Sequence, residues 1–533
     1  MVKLSAMKDS PDIKQLAIFS QPLQHSSKPD FIEPYMSMKN TWEINHMSKF
    51  KPLHEFQKPL VGLCTESFLN YVNSIIDKDH LCRLVKEVVF SLDTESIEAT
   101  YSFKGQSSYH PKLMLGLLFY GYASGVRSSR KLEERCLSDH IYIYLMHGYT
   151  PDHRTISDFR KDNLEEIKKY FVDIVRLITE LGIAQVGKLY IDGTKVKASA
   201  SAKRTKDAEG FEKWLSNIEE EISEILKEAD SIDEREDASI KIDKAQEALK
   251  KKLSNREYLK SQIKEALEKM REEDKKKMNL TDNDANHMKA GGSKDIRPSY
   301  NCQTAATEEG VIVAAEAVTQ ANDQNQLKPM IEQSESNTDQ EVEEVAADSG
   351  YGNYENYEYL EEKEIDGHVP DLQFQQYKTG KLKEDTYHHT NFEYDEASDS
   401  YTCPEGKKLN YWKTRTNKTK TRQWNHKVYK GVDCGACKVR SLCTKSKTRE
   451  LLIDIRDPLL QKMREKLLSV EGKLEYLKRQ YTIEPIFGHF KGNLGYRSFL
   501  LRGLEKVNAE YQLMCIGWNL KKMLTLGVKA SMI

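Results

Sequence analysis

Gly187-Lys-Leu-Tyr-Ile-Asp-Gly-Thr-Lys-Val-Lys-Ala-Ser-Ala-Ser201 is the stretch on which the reading of this chain turns. Its apolar run, Leu189-Tyr190-Ile191, reads as a buried strand, and Asp192 stands where that strand is expected to run out. Gly193 then reads as a turn, with Thr194, Lys195 and Lys197 placing polar and basic groups around the carboxylate. A carboxylate at a strand end is costly to hold unless something positive pairs with it. Lys195 or Lys197 satisfies that need as an ordinary ion-pair partner. A divalent cation on Asp192 satisfies it too, but requires further carboxylates from other segments.

The chain has 533 residues, which predicts roughly two to four domains. Its 81 basic and 83 acidic residues nearly cancel, so local charge carries more information than the net value of -2. No apolar run of about 18 residues exists, which argues against a membrane span. The start, Met1-Val-Lys-Leu-Ser-Ala-Met-Lys8, lacks the apolar core of a signal peptide. A cytoplasmic protein is expected. Of the nine cysteines, Cys64, Cys82, Cys136, Cys302 and Cys515 sit among apolar neighbours and read as buried thiols.

Residues 1–60 are polar and punctuated by proline, and read as a loosely ordered arm. Helical spacing dominates 61–184, with helices expected from Phe68, from Leu81, from Pro111, from Ser128 and from Leu164 to Leu181, the last closed by Gly182. Basic turns between them (Gly125-Val-Arg-Ser-Ser-Arg130 and His153-Arg-Thr155) fit a helical DNA-binding domain as well as an ordinary helical one. Within 185–360, the segment 205–277 carries two apolar stripes: Phe211, Leu215, Ile218, Ile222 and Leu226, then Leu249 to Met270. They predict an antiparallel helical hairpin with a solvated charged face. From residue 298 the period changes to a β-hairpin turning at Glu308-Glu-Gly310. A second strand, Val342 to Ala347, ends in Asp348-Ser-Gly-Tyr-Gly352 and repeats the strand-end carboxylate.

Residues 361–455 break the alternation. Cys403, Cys434, Cys437 and Cys443 suffice for a structural zinc site, or stand as buried or redox-labile thiols. Between 401 and 450, 14 Lys or Arg face three acids, with Tyr411, Trp412, Trp424 and Tyr429 interleaved, as suits phosphate contact and base stacking. Residues 456–533 read as helices carrying Arg479, Glu484 and Lys491. Glu484 and Lys491 are two helical turns apart and are expected on one face. Arg497 and Arg502 continue a glycine-rich basic stretch.

Asp192 on a strand, Asp348 on a strand and Glu484 on a helix supply the three carboxylates of two-metal phosphodiester chemistry. Such oxygen ligands select two Mg²⁺ or Mn²⁺ ions. Further motifs point the same way: His110-Pro-Lys-Leu-Met-Leu115, Thr155-Ile-Ser-Asp-Phe-Arg160, Asn301-Cys-Gln-Thr-Ala305 and Ile483-Glu-Pro-Ile-Phe-Gly-His-Phe-Lys491. With these, the chain resembles a bacterial insertion-sequence DDE transposase of the 1182 group. Tyr476, Arg479, Glu484 and Lys491 match the related Y-x2-R-x3-E-x6-K pattern, except that four residues separate Arg479 from Glu484.

The resemblance implies an α/β, ribonuclease H-like core interrupted by the helical hairpin and by a zinc-ribbon-like insertion, behind an all-helical N-terminal domain. It implies Asp192, Asp348 and Glu484 as catalytic metal ligands. Arg479, Lys491, Lys195, Lys197 and Arg497 are expected on DNA, both transposon ends and target, and a homodimer on paired ends. Thr281-Asp-Asn-Asp-Ala285 is expected beside the site. Rival readings are a relative that only binds DNA and a nuclease of the same fold.

Overall fold

The computed structural model describes residues 49–51, 66–102, 107–233, 240–289, 295–419 and 423–533. Most of the expected N-terminal arm, and Cys64, lie outside them. By contacts, residues 49–51, 101–102 and 107–110 form one small unit, in which Phe50 bridges Ser108 and packs on Tyr101. The remaining described residues form the second unit.

That unit is mixed α/β. Its helical part includes Glu66–Ile75, Leu81–Ser91, α1 (Pro111–Ser124), Ser129–Ser138, α2 (His153–Asp162) and α3 (Leu164–Glu180). Read from sequence as a basic turn, His153-Arg-Thr155 is instead the first turn of α2. Asp152 caps it, accepting from the Arg154 and Thr155 amides at 2.8 and 3.0 Å. The pattern Ile156, Phe159, Arg160 buries one face of this helix.

The central sheet contains β1 (Lys188–Lys197), β2 (Asn286–Lys289), β3 (Ile296–Thr307), β4 (Ile312–Val318), β5 (Glu344–Ala347) and β6 (Asp366–His368). β3 runs antiparallel to β1 on one side and pairs with β2 and then β4 on the other. β5 lies parallel to β1 on its other side, and β6 parallel to β5. The β3–β4 hairpin turns at Gly310, whose φ of 80° suits glycine.

The helical hairpin consists of α4 (Ala208–Asp233) and α5 (Ile240–Glu272), clasped at its base by the antiparallel pair Thr205–Lys206 and Met278–Asn279. Phe211, Ile218, Ile263, Leu267 and Met270 fill its core. The expected stripe fails at its far end, where Ile225 is buried and Leu226 is exposed. A step of seven residues from Ile218 stays on the inner face, whereas eight overshoots it.

After α6 (Leu327–Thr338) and a second sheet come α7 (Asp457–Leu468), α8 (Val470–Thr482) and α9 (Leu504–Thr525). α9 is buried along most of its length and seals the open edge of β4. Asn519 accepts from the Ile312 amide and donates to its carbonyl, at 2.9 and 2.8 Å. Asn508 does the same for Ala317, at 2.6 and 3.1 Å. Eleven helical residues and five strand residues both span about 16 Å, so the two asparagines meet the strand in step. Glu510, fully buried on α9, accepts from the Leu500 and Leu501 amides and pairs with Arg127 at 2.9 Å, tying the N-terminal helices to the core.

The second sheet has five strands: β7 (Glu393–Asp395), β8 (Ser400–Thr402), β9 (Lys408–Lys418), β10 (Gln423–Gly431) and β11 (Glu450–Asp454). All its pairs are antiparallel, and Phe392, Leu409, Tyr429 and Leu451 make its small core. No helix among the described residues is long and apolar enough to cross a membrane.

Candidate active site

Asp192 does not end a strand. β1 continues through Gly193 to Lys197, each residue registered on β3, with Asp192 opposite Thr304 and Gly193 opposite Gln303. What ends at Asp192 is the pairing with β5, whose last register pair is Ile191 with Ala347. Asp348 follows Ala347 directly, so the two carboxylates sit side by side where the parallel strands part.

The continuing strand also decides which cation reaches Asp192. Side chains alternate faces along a strand, so Lys195 and Lys197 point away from the face of Asp192. Lys195 approaches Asp323 instead, at 3.5 Å. The partner of Asp192 is Arg479 of α8, whose guanidinium lies 3.2 Å from Oδ2. Arg479, expected on DNA, is only 5% exposed, rests on the Tyr476 ring, and keeps a buried Nε without a hydrogen-bond partner. Burial pushes the Asp192 carboxyl up to about 6 against the pull of Arg479, and Asp348 and Asp323 push it the same way.

Asp323 is the residue that sequence reading missed. Its Oδ1 accepts from Asn301 at 2.6 Å and from Gln303 at 2.7 Å, two amides on one face of β3. It stands over two glycines. A Cβ on Gly193 would fall 2.6 Å from Gln303 Nε2 and 2.7 Å from Asp323 Oδ1. One on Gly350 would fall 2.9 Å from Asp348 Oδ1 and 3.2 Å from Asp323 Oδ2. Gly193 is therefore required for room and not for a turn. Tyr351, buried behind the site, donates to Gln303 Oε1. Asn322-Asp323-Gln in a loop carries no strand signal, and only the fold brings it here.

Glu484 opens the short helix Glu484–Gly488 after α8; it is exposed and has no ion pair among the described residues. The backbone around Lys491 widens into a π turn at His489–Asn493. Lys491 donates to Thr194 and lines an open cavity of about 230 Å³ with Lys195, Lys197, Arg297 and Arg497. Segment 497–499 is fixed there by bonds from the Lys197 amide to Arg497 O, 3.2 Å, and from the Phe499 amide to Lys197 O, 2.8 Å. Burial, with Lys195 close by, pushes the Lys491 ammonium below its usual range. Four of the five expected DNA contacts thus line one basic cavity, joined by Arg297.

The segment Thr281 to Ala285 serves α9. Asp282 accepts from the Tyr300 hydroxyl at 2.7 Å and the Gly503 amide at 3.3 Å, and Asp284 from the Leu504 amide at 2.9 Å. These carboxylates cap a helix N-terminus.

Cys403, Cys434, Cys437 and Cys443 line one cavity of about 20 Å³ beneath the second sheet. The Lys407 and Arg449 amides donate to Cys403 Sγ and Cys434 Sγ at 3.3 and 3.5 Å. Burial and the other three thiols push the Cys443 thiol up. As placed, no three His, Cys, Asp or Glu side chains among the described residues are grouped to hold a metal ion, here or around Asp192.

Two carboxylates where a pair of parallel strands parts, with a cluster of cations nearby, suit phosphodiester chemistry. Residues 402–524 match the family described as "Transposase DDE domain", and residues 70–162 match "Transposase domain (DUF772)". These two matches support a DDE transposase of an insertion sequence. Glu484 and the four clustered cysteines lie in the first match, while Asp192, Asp323 and Asp348 lie between the two. No curated protein and no solved structure matches the chain.

Proposed function

We propose that Asp192, Asp348 and Glu484 are the catalytic triad of a ribonuclease H-like core that cleaves transposon ends and joins the freed 3′-hydroxyl to target DNA. The observation carrying this reading is the register that brings Asp192 and Asp348 together at the end of the β1–β5 pair. The sheet order supports it as well: a three-strand antiparallel meander continued by two parallel strands.

The donor set fits hard cations, because burial, with Asp348 and Asp323 close by, raises the Asp192 carboxyl to about 6, and a divalent charge would favour its ionised form. Asp192 and Asp348 would hold Mg²⁺ or Mn²⁺, with Glu484 completing the set. Two such ions activate the attacking oxygen and stabilise the leaving one. The chain supplies the rest. Lys195, Lys197, Arg297, Lys491 and Arg497 bind backbone phosphates. Arg479 holds Asp192 in place, and Asp323 positions β1 against β3.

The Cys cluster fits zinc by donor number and by a cavity sized for one ion. A sheet with so small a core gains from a metal staple. Metal analysis of the purified chain should give about one zinc per chain, lost in Cys434→Ser. Membership of the 1182 group, a dimer on paired ends and a place on nucleoid DNA belong to the same reading.

The test is cleavage and strand transfer with the element's own end DNA and Mg²⁺. Asp192→Asn, Asp348→Asn and Glu484→Gln should each abolish cleavage while keeping end binding. Cleavage surviving in Asp192→Asn overturns the triad, and cleavage without strand transfer favours the nuclease.

A further inference from the structure

The β9–β10 hairpin is built unlike the rest of its sheet. Its strands carry Lys408, Lys413, Arg415, Lys418, Lys427 and Lys430 and no acidic residue. β8 covers β9 only as far as Asn410 and β11 covers β10 only from His426 to Lys430, so β9 is an open edge from Tyr411 onward and the hairpin is a free two-stranded ribbon from Thr416. From Tyr411 to Thr416 every residue of β9 is exposed on both faces. Lys413, Arg415 and Lys418 have no acidic partner among the described residues. An isolated two-stranded hairpin is marginal in water, and like charges along it make it more so.

The open edge of β9 also carries Trp412 at a bulge, where the register slips between Tyr411 and Lys413. Trp412 is 48% exposed and packs in no core. Instead the Lys413 and Lys430 ammoniums stand 4.1 and 4.4 Å from its ring centre. An acid-free ribbon with an aromatic wedge is complementary to a polyanion with a groove. The major groove of duplex DNA, about 12 Å wide, admits a two-stranded ribbon.

We propose that this hairpin inserts into a groove of double-stranded DNA, with Lys413, Arg415 and Lys418 on phosphates and Trp412 against the groove wall. The proposal rests on the transposase reading for its ligand and adds a DNA-binding element separate from the basic cavity beside Asp192.

The experiment measures binding of the full chain to a mixed-sequence DNA duplex over a range of salt. Each phosphate contact removed lowers the slope of log affinity against log salt by about 0.9, so the combined Lys413→Ala, Arg415→Ala and Lys418→Ala variant should lose roughly 2–3. Trp412→Ala should weaken binding several-fold, and Trp412→Phe should recover most of it. An unchanged slope in the triple variant overturns the proposal, including the case where that variant only aggregates more, which would make the lysines guards of an open strand edge. Loss of single-strand binding with duplex binding intact overturns it as well. The Asp192→Asn chain keeps the hairpin and should bind like the wild type. Cleavage by that chain would sink the triad and leave the hairpin standing.

Discussion

Arg479 closes on Asp192 across two elements: a guanidinium from α8, 5% exposed, lies 3.2 Å from the carboxylate of a central strand. The pair places a positive charge on the carboxylate that the proposed reaction needs for a divalent ion. Arg479 thus supplies the positive charge that faces the buried Asp192 carboxylate in this structure.

Removing that guanidinium leaves Asp192 buried among carboxylates. Arg479→Ala should cost about 2–3 kcal/mol at neutral pH, read from urea denaturation. The cost should shrink below pH 6, where Asp192 is protonated and needs no partner. Equal losses at pH 5 and pH 8 would show that packing and not charge is what Arg479 supplies.

Asp192 also sets a pH dependence. Its carboxyl is raised from 3.8 to about 6 in the folded chain. Between those values the folded state keeps a proton that the unfolded state has lost, so stability falls as pH rises through this window, by about 3 kcal/mol at most, and then levels. A divalent cation competes with the same proton. Mg²⁺ affinity, followed by its effect on Tm, should fall about tenfold per pH unit below about 6. Asp192→Asn should flatten both profiles.

Gly193→Ala would improve strand propensity anywhere else in β1. Here the added methyl falls within 2.7 Å of Asp323 and Gln303, so the variant should lose about 1–3 kcal/mol and disorder the Asp323 contacts. A denaturation midpoint at or above wild type would show that the site has the room these distances deny.

Asn519→Leu should leave the Ile312 amide and carbonyl buried and unpaired, costing about 1–3 kcal/mol for each group. Faster amide exchange at Ile312, with Val345 unaffected, would place the damage at the β4 edge.

The elements that carry the site were legible because their signals are local. The apolar run before Asp192, its counterpart before Asp348, the hairpin turning at Gly310 and the paired helical stripes each follow from a period of two or 3.6. The Cys spacing and the run of basic and aromatic residues from 401 to 450 needed no fold to be seen. The sequence alone therefore determined these elements, the two carboxylates that follow the apolar runs, and the resemblance to transposases.

Tertiary structure decided the partners. Gly193 reads as a turn because glycine often makes one, yet backbone pairing with Gln303 keeps it in the strand. That one continuation turns Lys195 and Lys197 to the other face and leaves Asp192 to Arg479, 287 positions later. Asp323 has no periodic context, so only the convergence of β1, β3 and the loop after Asp348 reveals it. Local pattern fixes which residues face a common side; which distant charge meets a buried carboxylate depends on how the strands and helices pack.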